Sequence, residues 1–224
     1  MAKKGTAGRI KVLLSFLLLF GPASLLVIIG TRGCEHKFKT LDDYGAVKEY
    51  SFTDALGKKH KASDFKDQVV IVTTLQTTCP DYCQISMWHV KKHLYSVLKK
   101  NQKRLGNVKM ISFVTDGEGN ALEDVSAVNE MVNDQIEDYD PNLWMIASGD
   151  ARELYDIKKD DKSFAKDGEQ YSGNGFQKLL LLIDRENHLR MVLPGDSEGM
   201  VRRMKEHVAL LMKEYDKEKA LEEK

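Results

Sequence analysis

Two cysteines separated by three residues are the side chains of this sequence whose type and spacing most clearly indicate reactivity or metal binding. Cys79 and Cys83 stand in the segment CPDYC, which follows the apolar, largely β-branched run 69–75 and precedes a helical pattern. A cysteine at the start of a helix lies beside free backbone N–H groups and the positive end of the helix dipole. Both lower the pKa of a thiol, so the segment favours a thiolate that acts as a nucleophile or as a metal ligand.

Metal binding and disulfide formation are both compatible with the spacing. Cys79 and Cys83 are four residues apart and share one helix face, and two thiolates suit Cu(I). The pair also closes as a disulfide if the first helical turn permits the geometry. Met87, one turn beyond Cys83, offers a thioether as a further soft ligand, although methionine at such a position is also typical of core packing. Without either chemistry, the cysteines are small buried hydrophobic residues.

Two histidines on the predicted helix after this motif form a second pattern. His89 and His93 have the spacing of a metal-binding pair on one helix face. A helix carries His93 about 15 Å along its axis from Cys83, which is too far to share a ligand shell. We therefore expect these histidines to lie on a solvated helix face.

An uncharged stretch at residues 12–30 is about long enough to cross the hydrocarbon core of a bilayer as a helix. Basic residues are slightly more numerous before it than after it, which favours a cytoplasmic N-terminus and a domain on the other side. One alternative is a cleaved signal peptide with a site near residues 21–23. Another is a lipoprotein anchored through Cys34, which follows a degenerate lipobox. A transmembrane anchor or a lipid at Cys34 would leave the domain tethered to the membrane.

The rest of the chain has the pattern of one α/β domain. Apolar runs predict strands and helical spacing predicts helices, and their alternation implies a central sheet with flanking helices. A closing strand–turn–strand–helix adds an antiparallel hairpin on one side. The predicted strands are 50–53, 69–75, 108–114, 143–146, 178–184 and 188–192, and the predicted helices are 82–103, 122–136, 151–157 and 197–215.

We divide the chain into five parts: a cytoplasmic N-terminus at 1–11, an anchor at 12–30, a linker at 31–49, the domain at 50–215, and a charged tail at 216–224. The 34 basic and 34 acidic residues balance, and no basic stripe is interleaved with aromatic residues, which argues against nucleic-acid binding. Three cysteines are too few for a disulfide framework.

The segment 78–83 after a hydrophobic strand resembles the SCO/SenC family of copper chaperones. The resemblance covers about residues 50–212 and includes segments 64–72, 111–116, 144–149 and 182–184. It implies a thioredoxin-like domain with a central mixed sheet, which binds Cu(I) through Cys79 and Cys83. It also implies delivery of copper to a respiratory oxidase, at the outer face of the inner (cytoplasmic) membrane. The implied partners are the membrane and an oxidase subunit or another thiol protein.

The sequence departs from the family pattern at two places. The family has a copper-binding histidine about eight residues before the position of Asp184, where this chain has Phe176. The acidic loop has Gly117 and Gly119 where the family usually shows proline and arginine. Two thiolates without that histidine would hold Cu(I) linearly, or with an exchangeable third ligand.

Two other functions remain open. Loss of the histidine favours an extracytoplasmic thiol–disulfide oxidoreductase that uses the same cysteine pair. Against it, a redox motif more often has two residues between its cysteines, and the cis-proline typical of such enzymes has no counterpart between Pro141 and Pro194. The third hypothesis is a non-catalytic interaction module.

Overall fold

The computed structural model describes residues 6–33, 40–77, 87–156, 158–159, 162–163 and 173–223. The chain divides into two compact units, Met1–Lys39 and Thr40–Lys224. The first unit contains helix α1 (Thr6–Gly33). Judged by length and hydropathy, none of the helices in the described ranges suffices to cross a membrane.

A seven-stranded mixed sheet forms the centre of the second unit. The strands along the chain are β1 (Ser51–Asp54), β2 (Lys59–Lys61), β3 (Val69–Gln76), β4 (Val108–Thr115), β5 (Trp144–Ser148), β6 (Lys158–Lys159), β7 (Lys162–Ser163), β8 (Leu179–Ile183) and β9 (Leu189–Pro194). Their order in the sheet is β2-β1-β5-β4-β3-β8-β9, and β6 and β7 form a separate hairpin. Strands β3, β4 and β5 are parallel, and β1 and β8 pair antiparallel to β5 and β3. The edge strands β2 and β9 pair antiparallel to β1 and β8.

Four helices accompany the sheet in the described part of the second unit. They are α2, described over 87–100 with a π-helical segment at Lys91–Tyr95, α3 (Gln102–Leu105), α4 (Ser126–Gln135) and α5 (Glu198–Glu222). Short 3-10 turns precede β3 and β8 at Ala62–Phe65 and Gly173–Lys178. Ser197 caps α5 by accepting a hydrogen bond from the Met200 N–H, which satisfies one of the free donors of the first turn.

Alternation along β3 places a hydrophobic core on each face of the sheet. Val69 and Ile71 belong to the core that includes side chains of α2, α4 and α5. Val70 and Val72 belong to the opposite core, which is rich in aromatic side chains such as Phe113. All four valine and isoleucine side chains are at most 1% exposed, as expected for a central strand covered on both faces.

The predicted mixed sheet with flanking helices is confirmed, but three helix predictions and one side-chain prediction need correction. Residues 152–155 form turns rather than a helix, because the Asp150 side chain accepts a hydrogen bond from the Arg152 N–H and fixes a turn there. Helix α4 begins at residue 126 rather than 122, since the Leu122 N–H bonds to a carbonyl of β4. Helical spacing predicts Trp88 among the apolar, core-facing positions of the helix after the cysteine motif, but 54% of the residue is exposed.

Helix α5 also runs past Tyr215 to Glu222, beyond its predicted end. Its last turns have partners outside the helix. The Arg185 guanidinium lies 4.1 Å from the centre of the Tyr215 ring, and its Nη2 lies 2.8 Å from Glu218 Oε2. These contacts hold the charged end of α5 against the turn between β8 and β9.

Arg190 of β9 connects three parts of the second unit. Its guanidinium lies 3.1 Å from Asp184 Oδ2 and 3.2 Å from Glu214 Oε2 of α5, and it donates to the Leu41 carbonyl oxygen. Asp184 is 2% exposed and also accepts hydrogen bonds from the backbone N–H groups of Glu186 and His188. The arginine therefore neutralises the charge of a carboxylate that has almost no access to water.

We expect Arg190→Met to lower the free energy of unfolding by about 3 kcal/mol, because it leaves the buried Asp184 carboxylate without its cation. Urea denaturation measured by circular dichroism tests this. Lys48→Met is the control, since it removes an exposed ion pair with Asp156, and it is expected to cost less than about 1 kcal/mol. Equal losses in the two variants would contradict the assignment.

Candidate functional site

The candidate site lies where β3 and β4 end side by side. The two strands pair in parallel from Val69↔Val108 to Gln76↔Thr115, and the Thr77 N–H then donates to the Thr115 carbonyl oxygen. Loops that follow neighbouring parallel strands meet at one edge of a sheet, which is where α/β proteins place ligands. Cys79 and Cys83 follow β3 directly but fall in 78–86, outside the described residues.

A pocket of about 180 Å³ opens at this edge, between the end of β3 and the start of α2. Met87, the first described residue after the cysteine segment, lines it and is 5% exposed. Met87 also belongs to the core on the α2 side of the sheet, so both sequence interpretations of this residue remain compatible with its position. The other lining residues are Thr73, Thr74, Leu75, Gln76, Val90, Gln177, Lys178, Gly195 and Asp196.

Gln177, which lines the pocket, forms hydrogen bonds to both β3 and β4. It is 5% exposed, and its carbonyl oxygen accepts a hydrogen bond of 2.5 Å from Thr74 Oγ1. Its side-chain amide lies 2.5 Å from Thr115 Oγ1, and in the orientation that satisfies both ends it also accepts from the Gly119 N–H at 3.2 Å. The glutamine thus fixes the ends of β3 and β4 and the loop after β4 relative to each other. No sequence motif marked it.

Phe176 occupies the position at which the resemblance calls for a histidine. It is 4% exposed, and its ring centre lies 5.2 Å from that of Tyr155, which is itself buried. An aromatic hydrocarbon ring cannot ligate a metal, and the surrounding core is apolar. This position therefore supplies no third copper ligand.

The altered loop and the altered histidine position are in contact. Gly119 has φ +80°, and a Cβ atom at this residue would lie 2.9 Å from Cε1 of Phe176. Glycine at 119 therefore meets two requirements, a left-handed backbone and space for the phenylalanine ring. The departures from the family pattern at 119 and at 176 are therefore coupled by direct packing.

Hydrogen bonds within the same loop fix its shape. Asp116 accepts bonds from the Asn120 side chain at 2.7 Å and from the backbone N–H groups of Glu118 and Asn120, and these bonds lower the pKa of the Asp116 carboxyl. Arg152 Nη2 donates to the Glu118 carbonyl oxygen and to Asn120 Oδ1. Hydrogen bonds within the loop and hydrogen bonds from Arg152 thus fix the loop beside the candidate site.

A cluster of His89, His93 and Glu198 lies between α2 and the first turn of α5. His93 Nε2 is 2.7 Å from Glu198 Oε1, and Lys92 Nζ is 3.1 Å from the same oxygen. Hydrogen bonds from His93 and Lys92 lower the pKa of Glu198 to about 2. The two histidines were predicted to lie on a solvated face, but both are partly buried, and the His93 side chain is only 14% exposed. Sequence reasoning missed Glu198, since it lies 105 residues from His93 along the chain.

Comparison with known proteins identifies the family and the solved structures that this chain resembles. Residues 39–212 match the SCO1/SenC family. The structure resembles BsSco, described as a member of the Sco family of cytochrome c oxidase assembly proteins with a disulfide switch. The two are 15% identical, the match covers 80% of this chain and 99% of that one, and the TM-score is 0.54. The predicted thioredoxin-like fold of the SCO type is confirmed.

Two further solved structures have the same fold. Yeast Sco1 with copper bound is 16% identical, with coverage of 74% of this chain and 90% of that one and a TM-score of 0.50. A putative protein disulfide isomerase from Bacteroides thetaiotaomicron is also 16% identical, with coverage of 78% and 95% and a TM-score of 0.50. No curated protein matches the chain.

The contact between Gly119 and Phe176 leads to a stability prediction. Gly119→Ala should cost about 2–3 kcal/mol, since it adds both a strained positive φ and a clash with the ring. Gly57→Ala is the matched control, because Gly57 has φ +82° but open space around the added Cβ. It should cost about 1 kcal/mol. Urea denaturation measures both.

The combination Gly119→Ala with Phe176→Leu separates the two costs. Relative to Phe176→Leu alone, the alanine should then cost no more than it does at Gly57. A cost at 119 that is independent of the residue at 176 would show that the two positions are not coupled.

Proposed function

This chain belongs to the SCO1/SenC family, and from that membership we propose that it binds Cu(I) on the thiolates of Cys79 and Cys83 and delivers it to a respiratory oxidase. The observation that carries the proposal is the position of the pair. The cysteines stand between β3 and α2, and residues on both sides of them in the sequence line one pocket at the carboxyl edge of the sheet. Thiolates are soft ligands, and an open pocket between the flanking elements would let a soft cargo ion enter and leave.

We propose Met87 as the third, exchangeable ligand of the bound Cu(I). The family histidine is replaced by the buried Phe176, so a third donor has to come from elsewhere. Met87 supports this role because it lines the pocket, is four residues from Cys83, and carries a soft sulfur atom. A weak thioether in place of an imidazole would favour release of the ion.

Transfer to the acceptor then proceeds by ligand exchange. A thiolate or imidazole of the acceptor binds Cu(I) and displaces first the weakest donor and then the two cysteine sulfurs. Copper remains in the +1 state throughout, so no electron donor or acceptor is needed. The chain releases the ion with both thiolates reduced and ready to bind again.

We also propose that the domain is tethered to the inner (cytoplasmic) membrane and faces its outer side. Support comes from α1, whose described leucine and phenylalanine side chains are 50% to 75% exposed, namely Leu14, Phe16, Leu17, Leu18, Leu19, Phe20, Leu25 and Leu26. Exposed apolar surface of this extent is typical of a segment that lies in lipid or against another protein. A lipid on Cys34 remains the alternative means of attachment.

The second candidate function is a thiol–disulfide oxidoreductase, and burial of Phe176 is the observation that favours it. Here one thiolate attacks a disulfide of the partner and forms a mixed disulfide, and a partner thiolate leaves. The second cysteine attacks the mixed disulfide, which releases the partner as a dithiol and leaves a Cys79–Cys83 disulfide. The chain thus supplies both electrons. A non-catalytic interaction module is the third hypothesis.

Anaerobic Cu(I) titration of the reduced, detergent-solubilised full-length chain tests the copper proposal. Competition with a chromophoric chelator should show one tight site that Cys79→Ser and Cys83→Ser each abolish, because one thiolate alone cannot hold the ion against the chelator. Binding no tighter than in these variants would refute the proposal. A well-defined disulfide potential of the pair would then make the oxidoreductase the leading function.

Substitution of Met87 tests the third ligand. Met87→Leu preserves the apolar volume and should weaken Cu(I) binding about tenfold, which corresponds to about 1.4 kcal/mol. Met110→Leu is the control, since Met110 is fully buried in the same core but does not line the pocket. Equal affinities in the two variants would exclude Met87 as a ligand while leaving the cysteine site intact.

A further inference from the structure

The cluster of His89, His93 and Glu198 has the composition of a metal site that is separate from the cysteine pair. One ligand atom from each of the three side chains lies within 4.8 Å of those of the other two. Around a tetrahedral Zn²⁺ ion, nitrogen and oxygen ligands lie about 3.3–3.5 Å apart. Small side-chain rotations would therefore bring the three donors to bonding distance without movement of either helix.

The local structure of α2 places both imidazoles on one side. His89 and His93 are one turn apart, and their ring centres are separated by 6.4 Å. The π-helical segment Lys91–Tyr95 includes His93 and alters the helical turn between the two rings. Such segments are rare and occur frequently at functional sites.

His89 provides the observation that an ordinary ion pair does not explain. His93 and Glu198 alone make a complete hydrogen-bonded pair. His89 lies close enough to act on the charge of Glu198, and its Nδ1 atom is buried with no hydrogen-bond partner within the described part of the chain. A buried polar atom without a partner is costly, and a ligated cation at the cluster would give this imidazole a role.

We propose that His89, His93 and Glu198 bind a divalent first-row cation of the Zn²⁺ class. Two imidazoles and one carboxylate are the ligand set of three-ligand zinc sites, which leave a fourth position for water. Glu198 is 48% exposed on its side chain, so the open position would face solvent. The ion would replace the proton between His93 Nε2 and Glu198 Oε1, and it would join α2 to the start of α5.

This site is chemically distinct from the proposed thiolate site. Its hard and borderline donors select against Cu(I), and the thiolates select for it. The proposal therefore does not depend on copper delivery by Cys79 and Cys83.

Two features oppose the cation and make the site tunable. Lys92 already pairs with Glu198 and would have to withdraw its ammonium group. The positive end of the α5 dipole also lies at Glu198, the first residue of that helix. Removal of the lysine charge should therefore strengthen binding, whereas an ordinary surface salt bridge would predict no effect on metal affinity.

Zn²⁺ titration of the full-length chain with Cys34, Cys79 and Cys83 all changed to serine tests the proposal, because no thiol then competes. We expect saturable one-to-one binding that raises the thermal unfolding midpoint. His89→Gln, His93→Gln and Glu198→Gln should each weaken it at least tenfold, and Lys92→Gln should tighten it several-fold. The wild-type chain with alkylated thiols repeats the titration without the serine changes.

His188→Gln is the matched control. His188 Nδ1 pairs with Asp43 Oδ2 at 2.9 Å, as His93 pairs with Glu198, but it belongs to no such three-residue cluster in the described ranges. Its substitution should leave Zn²⁺ affinity unchanged within about twofold. The proposal is overturned if the thiol-free chain shows no saturable binding, or if His93→Gln and Glu198→Gln bind as tightly as their parent.

Discussion

Parallel pairing of β3 with β4 is the constraint on which the rest of the second unit depends. The two strands stay in register over eight residue pairs, and their apolar side chains are buried on both faces of the sheet. Because the side-chain period of a strand is two, a shift by one residue would exchange the two cores. The register therefore also fixes where both strands end, and the loops that follow them meet at that edge.

Much of this arrangement could be predicted from local patterns. The runs at 69–75 and 108–114 are short, mostly apolar and contain β-branched residues, which favours strands, and their ends differ from those of the observed strands by one residue. Helix limits were harder, since they depend on partners that local pattern does not contain. Helix α5 extends to Glu222 because Arg185, in a distant turn, contacts its last turns. Helix α4 starts late because the preceding residues bond to β4.

The site itself was only partly predictable. The residue type and spacing of the cysteine pair indicate thiolate chemistry. The phenylalanine at 176 indicates a departure from the family pattern. Gln177 and Glu198 carry no comparable signal. Each acts through contacts with residues far away in the sequence, such as the 2.5 Å bond between Thr115 and Gln177 and the 2.7 Å pair between His93 and Glu198. Spacing along one helix suggested two histidines as a pair, but only the fold supplies the third side chain.

The contact between Gly119 and Phe176 makes the effects of substitutions at these two positions depend on each other. With the phenylalanine ring in place, any side chain at 119 meets Cε1 at 2.9 Å. A change at either position is therefore less costly in one order than in the other. A side chain at 119 costs less once the ring at 176 is gone, and the ring costs less where 119 is already glycine. The two positions are thus expected to show epistasis, so that the effect of a substitution at one depends on the residue at the other.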